Sequence, residues 1–403
     1  MKKPVLLLAL ALASFAAERT VVFPPGVKPV GPYSPGILTS GYLYVSGQGV
    51  RATDGRMPET FEAQARQCLE NVKQIVEAAR LTMDHVVYIQ VYFEDIGRYD
   101  ALEPLLAEYF GKNPPARATV GVHRMPTGTT LEISAVAVRD LARKRPIVPK
   151  GQKRAAASVP AVQVGDRLYI GGVLGRDPST GAIPEDPAAQ VQLAFDQFRD
   201  ILAAAGMDFR HVVFVNPYLT AKMPMNVMNR VYAKHFEFGN TPARATIEMS
   251  ALPFGARIGF TGVAVGDLSK RRAVRPKNME PSATASPCVW AEDTYYCSAK
   301  AGFIPGPNGG IWAAEVENQV RMTMRNLLDG LEEAGLNFSH VVASNVYLDN
   351  MDDFARMNGV YAKYFGDVPP TRTTVSPKPP VERKPDPQGR SPRLEEISII
   401  AVK

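Results

Sequence analysis

The sequence predicts an α+β protein in which one domain is repeated three times along a single chain. The first observation is an arginine motif: PARAT at 115–119 returns as PARAT at 242–246 and as PTRTT at 370–374. The second is a His-Val-Val run that recurs in step with it, each copy followed by a tyrosine at constant spacing; the runs begin at His85, His211 and His340. The period exceeds one hundred residues, which indicates whole domains because solenoid units are shorter.

The first repeat alternates strand and helix patterns. Residues 61–79 carry an apolar stripe at helical spacing, whereas residues 86–93 are rich in β-branched and aromatic side chains. A second helix is predicted at 99–110, where Gly111 ends it. Further strands are predicted at 41–47, 117–122 and 130–138. The resulting order, ββαβαββ, puts both helices on one face of a sheet.

The other sheet face also needs cover. The last predicted strand has Leu131 and Ile133 on one side, but Val136 and Val138 on the other, so its end is apolar on both faces. Three such sheets that pack their free faces around a pseudo-threefold axis would bury these side chains. We therefore expect a monomer that forms a cyclic trimer within one chain.

The first residues have the pattern of a secretory signal peptide. Lys2 and Lys3 precede an apolar run at 5–13, and small residues follow it. This run is too short to span a bilayer. We expect export to the periplasm or the exterior, and no membrane association after cleavage.

The net charge of +6 does not predict a nucleic-acid partner. Two segments, 139–154 and 266–277, together hold twelve basic and two acidic residues. Without them and the signal peptide, 32 basic and 38 acidic residues remain, so the repeats are mildly acidic. Nucleic-acid binding requires basic residues gathered on one face. The basic segments are interpreted as surface linkers, and the predicted boundaries are 1–17 (signal), 18–139 (repeat 1), 140–154 (linker), 155–266 (repeat 2), 267–280 (linker) and 281–403 (repeat 3).

Two of the three cysteines are predicted to form a disulfide. Residues 289–296 have the pattern of a hairpin that turns at Glu292-Asp293, a register that places Cys288 opposite Cys297. Such a bond persists in an exported protein. Cys68 lies in a helical pattern and is expected to be a buried apolar group.

Several motifs, taken in order, resemble one known family over nearly the whole mature chain. They are GPYSP at 31–35, VSGQ at 45–48, AQARQCLENV at 63–72, PAR at 115–117 and LEI at 131–133. The chain is similar to the RidA/YjgF family of enamine/imine deaminases, in three tandem copies. The resemblance implies three chorismate-mutase-like domains, with active sites in the clefts between them.

The resemblance also implies roles for individual residues. An arginine of the Pro-x-Arg motif would grip the substrate carboxylate, a glutamate of the last strand would position water, and a tyrosine, a Ser-Gly pair and a helical asparagine would line the cleft. The first repeat keeps Tyr33, Ser46, Gly47, Arg117 and Glu132, but has Glu103 for the asparagine. The second keeps Asn229 and Arg244, with Ser158, Gly171 and Gly259 in place of tyrosine, serine and glutamate. The third keeps Ser298, Asn358, Arg372 and Glu396, with Ala285 for tyrosine, Ala299 for glycine and a proline-rich insertion at 377–392.

Which repeat's tyrosine meets which repeat's arginine is left open by the sequence. Arg117 and Glu132 lie on successive strands across a hairpin, which would allow both to face one cleft. This pair is the first candidate for carboxylate anchor and water-orienting base, Arg372 with Glu396 is the second, and Arg244 is expected to bind rather than catalyse.

The predicted function is hydrolysis of enamines or imines of 2-keto acids to the keto acid and ammonia. The substrate is a small carboxylate, and no metal or cofactor is expected. A catalytically reduced binding or scaffold protein is the alternative, because several site residues are replaced. An endoribonuclease is disfavoured by the acidic repeats. The insertion at 377–392 is interpreted as a flexible excursion, with a lid over the neighbouring cleft as the other possibility.

Overall fold

The computed structural model describes residues 19–152, 155–277, 279–305 and 310–403. The predicted signal peptide, 1–17, lies outside these ranges. Each repeat forms one mixed sheet with helices on one face, as expected for a chorismate-mutase-like fold. The three sheets have the same strand order, so the chain is a threefold repetition of one α+β domain.

The first sheet has the order β1-β2-β3-β6-β4-β5, in which only β4 and β5 are parallel. Its elements are β1 Thr20–Val22, β2 Gly36–Leu38, β3 Tyr42–Gln48, α1 Phe61–Ala78, β4 Val86–Phe93, α2 Tyr99–Phe110, β5 Ala116–Gly121 and β6 Leu131–Val138. Thr60 caps α1 by accepting a hydrogen bond from the backbone N–H of Ala63, which satisfies one of the free donors at the helix start.

The second and third sheets repeat this arrangement. The second repeat has β7 Lys144–Ile147, β8 Ala161–Val164, β9 Arg167–Leu174, α3 Pro187–Ala204, β10 Val212–Leu219, α4 Met225–Tyr232, β11 Ala243–Arg244, β12 Ile247–Glu248 and β13 Ile258–Val265. The third has β14 Arg271–Val274, β15 Cys288–Ala291, β16 Thr294–Lys300, β17 Phe303–Ile304, β18 Ile311–Trp312, α5 Val316–Glu333, β19 Val341–Leu348, α6 Phe354–Tyr361, β20 Thr371–Val375 and β21 Glu395–Val402. β15 and β16 pair Cys288 with Cys297 in register, and a disulfide joins them, while Cys68 is buried and free.

The two basic segments are not simple surface linkers, which corrects their interpretation from sequence. Each contains the first strand of the following repeat, β7 or β14, which is the equivalent of β1, so every repeat begins with a strand that the predicted order ββαβαββ lacks. One cation in each segment also contacts the preceding repeat. Lys144 Nζ donates to the carbonyls of Asp84, Val86 and Asn113 in the preceding repeat.

The same basic position recurs in the other repeats and closes the ring. Arg271 donates to the carbonyls of Val212 and Asn240 in the second repeat. Arg19, just before β1, donates to the carbonyls of Val341 and Val368 in the third repeat. In each repeat, one basic side chain thus donates hydrogen bonds to backbone carbonyls of the preceding repeat. In the first repeat, this side chain contacts the third repeat.

The free faces of the three sheets share an apolar core. Tyr44, Tyr169 and Tyr296 occupy equivalent positions on β3, β9 and β16, and all three are buried there. A second cluster contains the tyrosines that follow the His-Val-Val runs, namely Tyr92, Tyr218 and Tyr347. Helices cover the outer faces, where α1 packs on β3, β4 and β6. The sheets therefore enclose a pseudo-threefold axis, and each pair of neighbouring repeats forms a cleft.

Candidate active site

Ring closure gives three clefts, and each combines the arginine of one repeat with the Ser-Gly strand and the last strand of the next. We call them the first cleft (Arg372 with Glu132), the second cleft (Arg244 with Glu396) and the third cleft (Arg117 with Gly259). Two backbone contacts define the pairing. The N–H of Arg372 donates to Ser46 Oγ at 2.9 Å, and that of Arg244 donates to Ser298 Oγ at 2.8 Å.

The first cleft holds its arginine in a fixed position. Arg372 Nη1 donates to Asn358 Oδ1 at 2.7 Å, and its guanidinium carbon lies 5.0 to 5.6 Å from the ring centres of Tyr361, Phe354 and Tyr33. Burial lowers the pKa of Arg372, although the group stays charged at any physiological pH. Among the described residues, Nη2 has no acceptor, so this side of the fork is available for a carboxylate.

Strand β3 of the first repeat packs against Arg372 through Ser46. A β-bulge between Val45 and Gln48 interrupts the ladder with β6 and sets Ser46 and Gly47 apart from the regular register. Ser46 Oγ donates to the carbonyl of Ser34, whose own N–H donates to Pro370 of the third repeat. Ser46 therefore links the first and third repeats beside Arg372.

Glu132 faces the same cleft from β6. Its side chain is buried, and in the described structure no protein donor bonds to its carboxyl group. Burial raises the pKa of Glu132 to about 8, an effect that Arg372 partly opposes. At neutral pH the carboxyl group is therefore mostly protonated, and it can donate a proton into the cleft.

Gly47 provides the space that Glu132 occupies. A Cβ atom at position 47 would lie 1.9 Å from Glu132 Oε1, which is far inside van der Waals contact. The Tyr33 ring lies beside Arg372, and burial raises the pKa of its hydroxyl. The first cleft thus gathers Tyr33, Ser46, Gly47 and Glu132 from repeat 1 with Asn358 and Arg372 from repeat 3.

The second cleft also contains the arginine, but the residues around it differ from those of the first cleft. Arg244 Nη1 donates to Asn229 Oδ1 at 2.8 Å, and the guanidinium lies over Tyr232. Glu396 forms an ion pair with Arg393 at 2.8 Å instead of remaining free. Burial raises the pKa of Glu396, while Arg393, Arg244 and Lys300 act in the opposite direction.

The proline-rich insertion covers the second cleft on one side. Lys378 pairs with Glu248 of the second repeat at 3.2 Å, and Ser250 donates to the carbonyl of Pro377. Arg383 pairs with Asp353 at 2.6 Å. Contacts with the second and third repeats thus hold the insertion in place, so it is not the flexible segment that was expected. Arg393, which follows it, lies beside Glu396.

The third cleft has no glutamate on its last strand, and its arginine is neutralised by an acidic residue of the same repeat. Arg117 Nη2 lies 2.6 Å from Glu103 Oε1 and donates to the hydroxyl of Tyr99. A Cβ atom at Gly259, where the other repeats carry glutamate, would meet Leu174 at 3.0 Å, so this leucine takes the space of the missing side chain. A cavity of about 210 Å³ remains, lined in part by Arg117, Ser158 and Gly171.

The expected pair of Arg117 with Glu132 is therefore not formed, and neither is that of Arg372 with Glu396. The physical reason is the direction of ring closure: β5 packs on β9 of the second repeat, whereas β20 of the third packs on β3 of the first. Arg244 does have an acid in its cleft, but the acid belongs to the third repeat. The role of Arg393 was not predicted, and its only signal in the sequence is its position three residues before Glu396.

Comparison with known proteins agrees with this architecture. The model of the family described as endoribonuclease L-PSP matches three times, at residues 25–139, 152–265 and 276–379. The chain belongs to this family, the RidA family, as a tandem-repeat member.

The described part of the chain has no cluster of His, Cys, Asp and Glu that could hold a metal ion, and none of its helices is both long and apolar enough to cross a membrane.

Individual relatives match one repeat at a time. A RutC family protein from Aquifex aeolicus is 36% identical over 124 residues, which is 30% of this chain and 99% of the relative. Another from Pyrococcus horikoshii is 36% identical over 115 residues, or 28% of this chain and 91% of the relative. The solved yjgF gene product of E. coli is 33% identical, covers 30% of this chain and 100% of its own length, and has a TM-score of 0.29.

Proposed function

We propose that this RidA-family protein hydrolyses enamines or imines of small 2-keto acids in the first cleft, releasing the keto acid and ammonia. One observation carries the proposal: the side chains of Arg372 and of the buried Glu132 face one cleft without pairing directly with each other. A substrate can therefore bind Arg372 through its carboxylate while its reacting carbons lie beside Glu132.

The proposed reaction starts with proton transfer. Glu132 gives its proton to the terminal carbon of the enamine, which becomes an iminium ion held through its carboxylate by Arg372. The resulting Glu132 carboxylate then takes a proton from the water that attacks the iminium carbon. The aminol formed in this way collapses to the keto acid and ammonia, and Glu132 ends the cycle protonated as it began.

The substrate class follows from the anchor and the size of the site. Asn358 fixes one side of the guanidinium, so a planar carboxylate can bind the other side with two parallel hydrogen bonds. Tyr33, Tyr361 and Phe354 enclose the arginine and favour a small apolar side chain. Small aliphatic 2-imino acids meet both requirements.

The decisive experiment couples the protein to an enzyme that generates 2-aminoacrylate or 2-iminobutyrate and follows decay of the intermediate. We expect decay about 10²- to 10⁴-fold slower in Glu132→Gln, which preserves shape but cannot exchange a proton, than in the unaltered protein. Decay no faster than in buffer would reject the deaminase. Cleavage of RNA, the activity that the family description names, is measured in the same preparation and is expected to be absent.

We also propose that the protein is exported, because the pattern at 1–17 is that of a signal peptide and a disulfide persists outside the cytoplasm. N-terminal sequencing of protein from the native host checks this directly. A mature chain that begins at Met1 in the cytoplasm, with Cys288 and Cys297 reduced, would contradict export.

A further inference from the structure

The free faces of the three sheets line a cavity that lies apart from the substrate anchors of the clefts. Its volume is about 120 Å³, whereas about 10–15 Å³ is enough to hold one water molecule. The wall includes Tyr44, Tyr169 and Tyr296, the tyrosines that occupy equivalent positions on β3, β9 and β16. Because each repeat contributes the same phenol to it, the cavity lies on the pseudo-threefold axis.

The buried polar atoms of this wall that lack a partner can all donate a hydrogen bond. In the described structure they are the hydroxyls of Tyr44, Tyr169 and Tyr296 and Nε2 of Gln90, and none of these residues is more than 4% exposed. Gln90 Oε1 already accepts hydrogen bonds from two other tyrosines, so its amide offers the cavity only N–H groups. A buried donor without an acceptor is costly. An occupant that accepts several hydrogen bonds would remove this cost.

The three phenol hydroxyls of the wall lie near one another. The pKa of each depends on at least one of the others, which places the oxygens of Tyr44, Tyr169 and Tyr296 close together. Burial raises the pKa of all three, so they keep their protons at physiological pH. They therefore form a cluster of O–H donors, one from each repeat.

The charges around the cavity favour an anion. Of the described residues that line it, Arg372 is the only charged one. Arg167 lies two residues before Tyr169 on β9, is completely buried, and acts on the pKa of all three hydroxyls through its charge. It pairs with Asp293 at 3.3 Å and Glu292 at 3.6 Å, but both acids are partly exposed, so solvent screens their charges more than that of the guanidinium. A buried anion requires such a cation together with hydrogen-bond donors.

We infer that the axial cavity is a binding site for a halide-sized anion, of which chloride is the abundant member. The ion accepts hydrogen bonds from the hydroxyls of Tyr44, Tyr169 and Tyr296, and Gln90 offers further N–H donors to the same cavity. Water fits this wall less well, because each water molecule brings two protons of its own that need acceptors. Since one hydroxyl comes from each repeat, the bound ion joins the three repeats at their axis.

Thermal unfolding of the whole protein tests this inference in solution. Sodium chloride is compared with sodium gluconate at equal ionic strength, since gluconate is too large for the cavity. A ligand that binds only the folded state raises Tm as its concentration increases. We therefore expect Tm to rise with chloride and not with gluconate. Equal Tm values in the two salts at every concentration would overturn the inference.

Exchange of the three tyrosines for phenylalanine keeps the rings and removes only the hydroxyls. The protein that combines Tyr44→Phe, Tyr169→Phe and Tyr296→Phe should bind chloride at least about tenfold more weakly, because a single hydrogen bond to a charged group contributes that much. Tyr109→Phe is the control, since this hydroxyl donates to Glu70 outside the cavity, and its chloride response should be unchanged. A chloride response as large in the triple variant as in the unaltered protein would reject the assignment.

Bromide gives the position of the site, because its anomalous scattering identifies it in a crystal. Crystals of the unaltered protein grown in gluconate and soaked in sodium bromide should show an anomalous peak within hydrogen-bonding distance of all three hydroxyls. A cavity without such a peak would overturn the inference, even where bromide binds elsewhere. A peak in the cavity, combined with a chloride response that the triple exchange does not change, would indicate an adventitious ion only and would also overturn it.

Discussion

Arg372 and Glu132 face each other across one cleft although they belong to the third and the first repeat. The arginine in the same repeat as Glu132 pairs with Glu103 in a different cleft. A single chain therefore assembles its most complete site only when its last repeat closes onto its first.

Exchange of Arg372 for alanine should impair hydrolysis, whereas the same exchange at Arg117 should not. Loss of a charge-assisted contact to the substrate carboxylate lowers kcat/KM by about 10- to 100-fold. Arg117 is the matched control because it has the same motif and is neutralised by Glu103. Steady-state kinetics on both variants provides the measurement, and a larger loss in Arg117→Ala would show that the third cleft is the productive one.

Exchange of Gly47 for alanine should remove activity while the fold is retained. The new Cβ atom would lie 1.9 Å from Glu132 Oε1 and displace the carboxyl group. Gly41→Ala is the control, since no atom lies within 4 Å of a Cβ atom at that position. Kinetics and thermal unfolding are measured together. An active Gly47→Ala protein would mean that the position of Glu132 is not important for the reaction.

Much of the fold could be predicted from the sequence because it depends on local patterns. The apolar stripe at 61–79 predicted α1 to within one residue, and the hairpin register predicted which two cysteines lie opposite each other. The edge strands were missed. Lys144–Ile147 is basic and contains Pro146, and such a segment forms a strand only because an edge position leaves the proline nitrogen unpaired.

The site was harder to predict than the fold. Each repeat carries the residue types of a cleft, but the direction in which the ring closes decides which residues meet, and no local pattern encodes that direction. The pairing of Glu396 with Arg393 depends on where the insertion docks, which is set by contacts with the second repeat such as that of Lys378 with Glu248. The replacement of asparagine by Glu103 was visible, but its effect on Arg117 required the geometry.

Glu132 should make the protein less stable as the pH rises from about 4.5 to about 8. Its pKa is about 8 in the folded protein and near 4.5 in the unfolded chain, so the folded state binds more protons in this range. The stabilisation is fully present below the unfolded value and is lost as the pH passes the folded value. Each unit of difference in pKa corresponds to about 1.4 kcal/mol, so the full effect is several kcal/mol.

Urea unfolding of the wild type and of Glu132→Gln at pH 5 and pH 8 measures this effect. The variant should lose less stability between the two pH values than the wild type. Some dependence remains in the variant, because burial also raises the pKa of Glu395 to about 8. An identical pH dependence in the two proteins would mean that Glu132 is already ionised at pH 5.

Exchange of Glu103 for asparagine should turn the third cleft into a carboxylate-binding site without making it catalytic. Asparagine is the partner of Arg372 and Arg244, and an amide leaves the charge of Arg117 uncompensated, so an anion can bind it. No acid is gained, because Gly259 still occupies the position of Glu132.

Calorimetry with butyrate in a background that carries both Arg372→Ala and Arg244→Ala, where the first and second clefts have lost their anchors, measures the new site directly. Addition of Glu103→Asn should make butyrate binding about tenfold or more tighter, while hydrolysis stays absent. Glu103→Ala is the control, because it also frees the charge of Arg117 but provides no amide to hold the guanidinium, so its gain in affinity should be smaller. If butyrate binds equally well before and after the exchange of Glu103 for asparagine, the ion pair between Glu103 and Arg117 is not what closes the third cleft to anions.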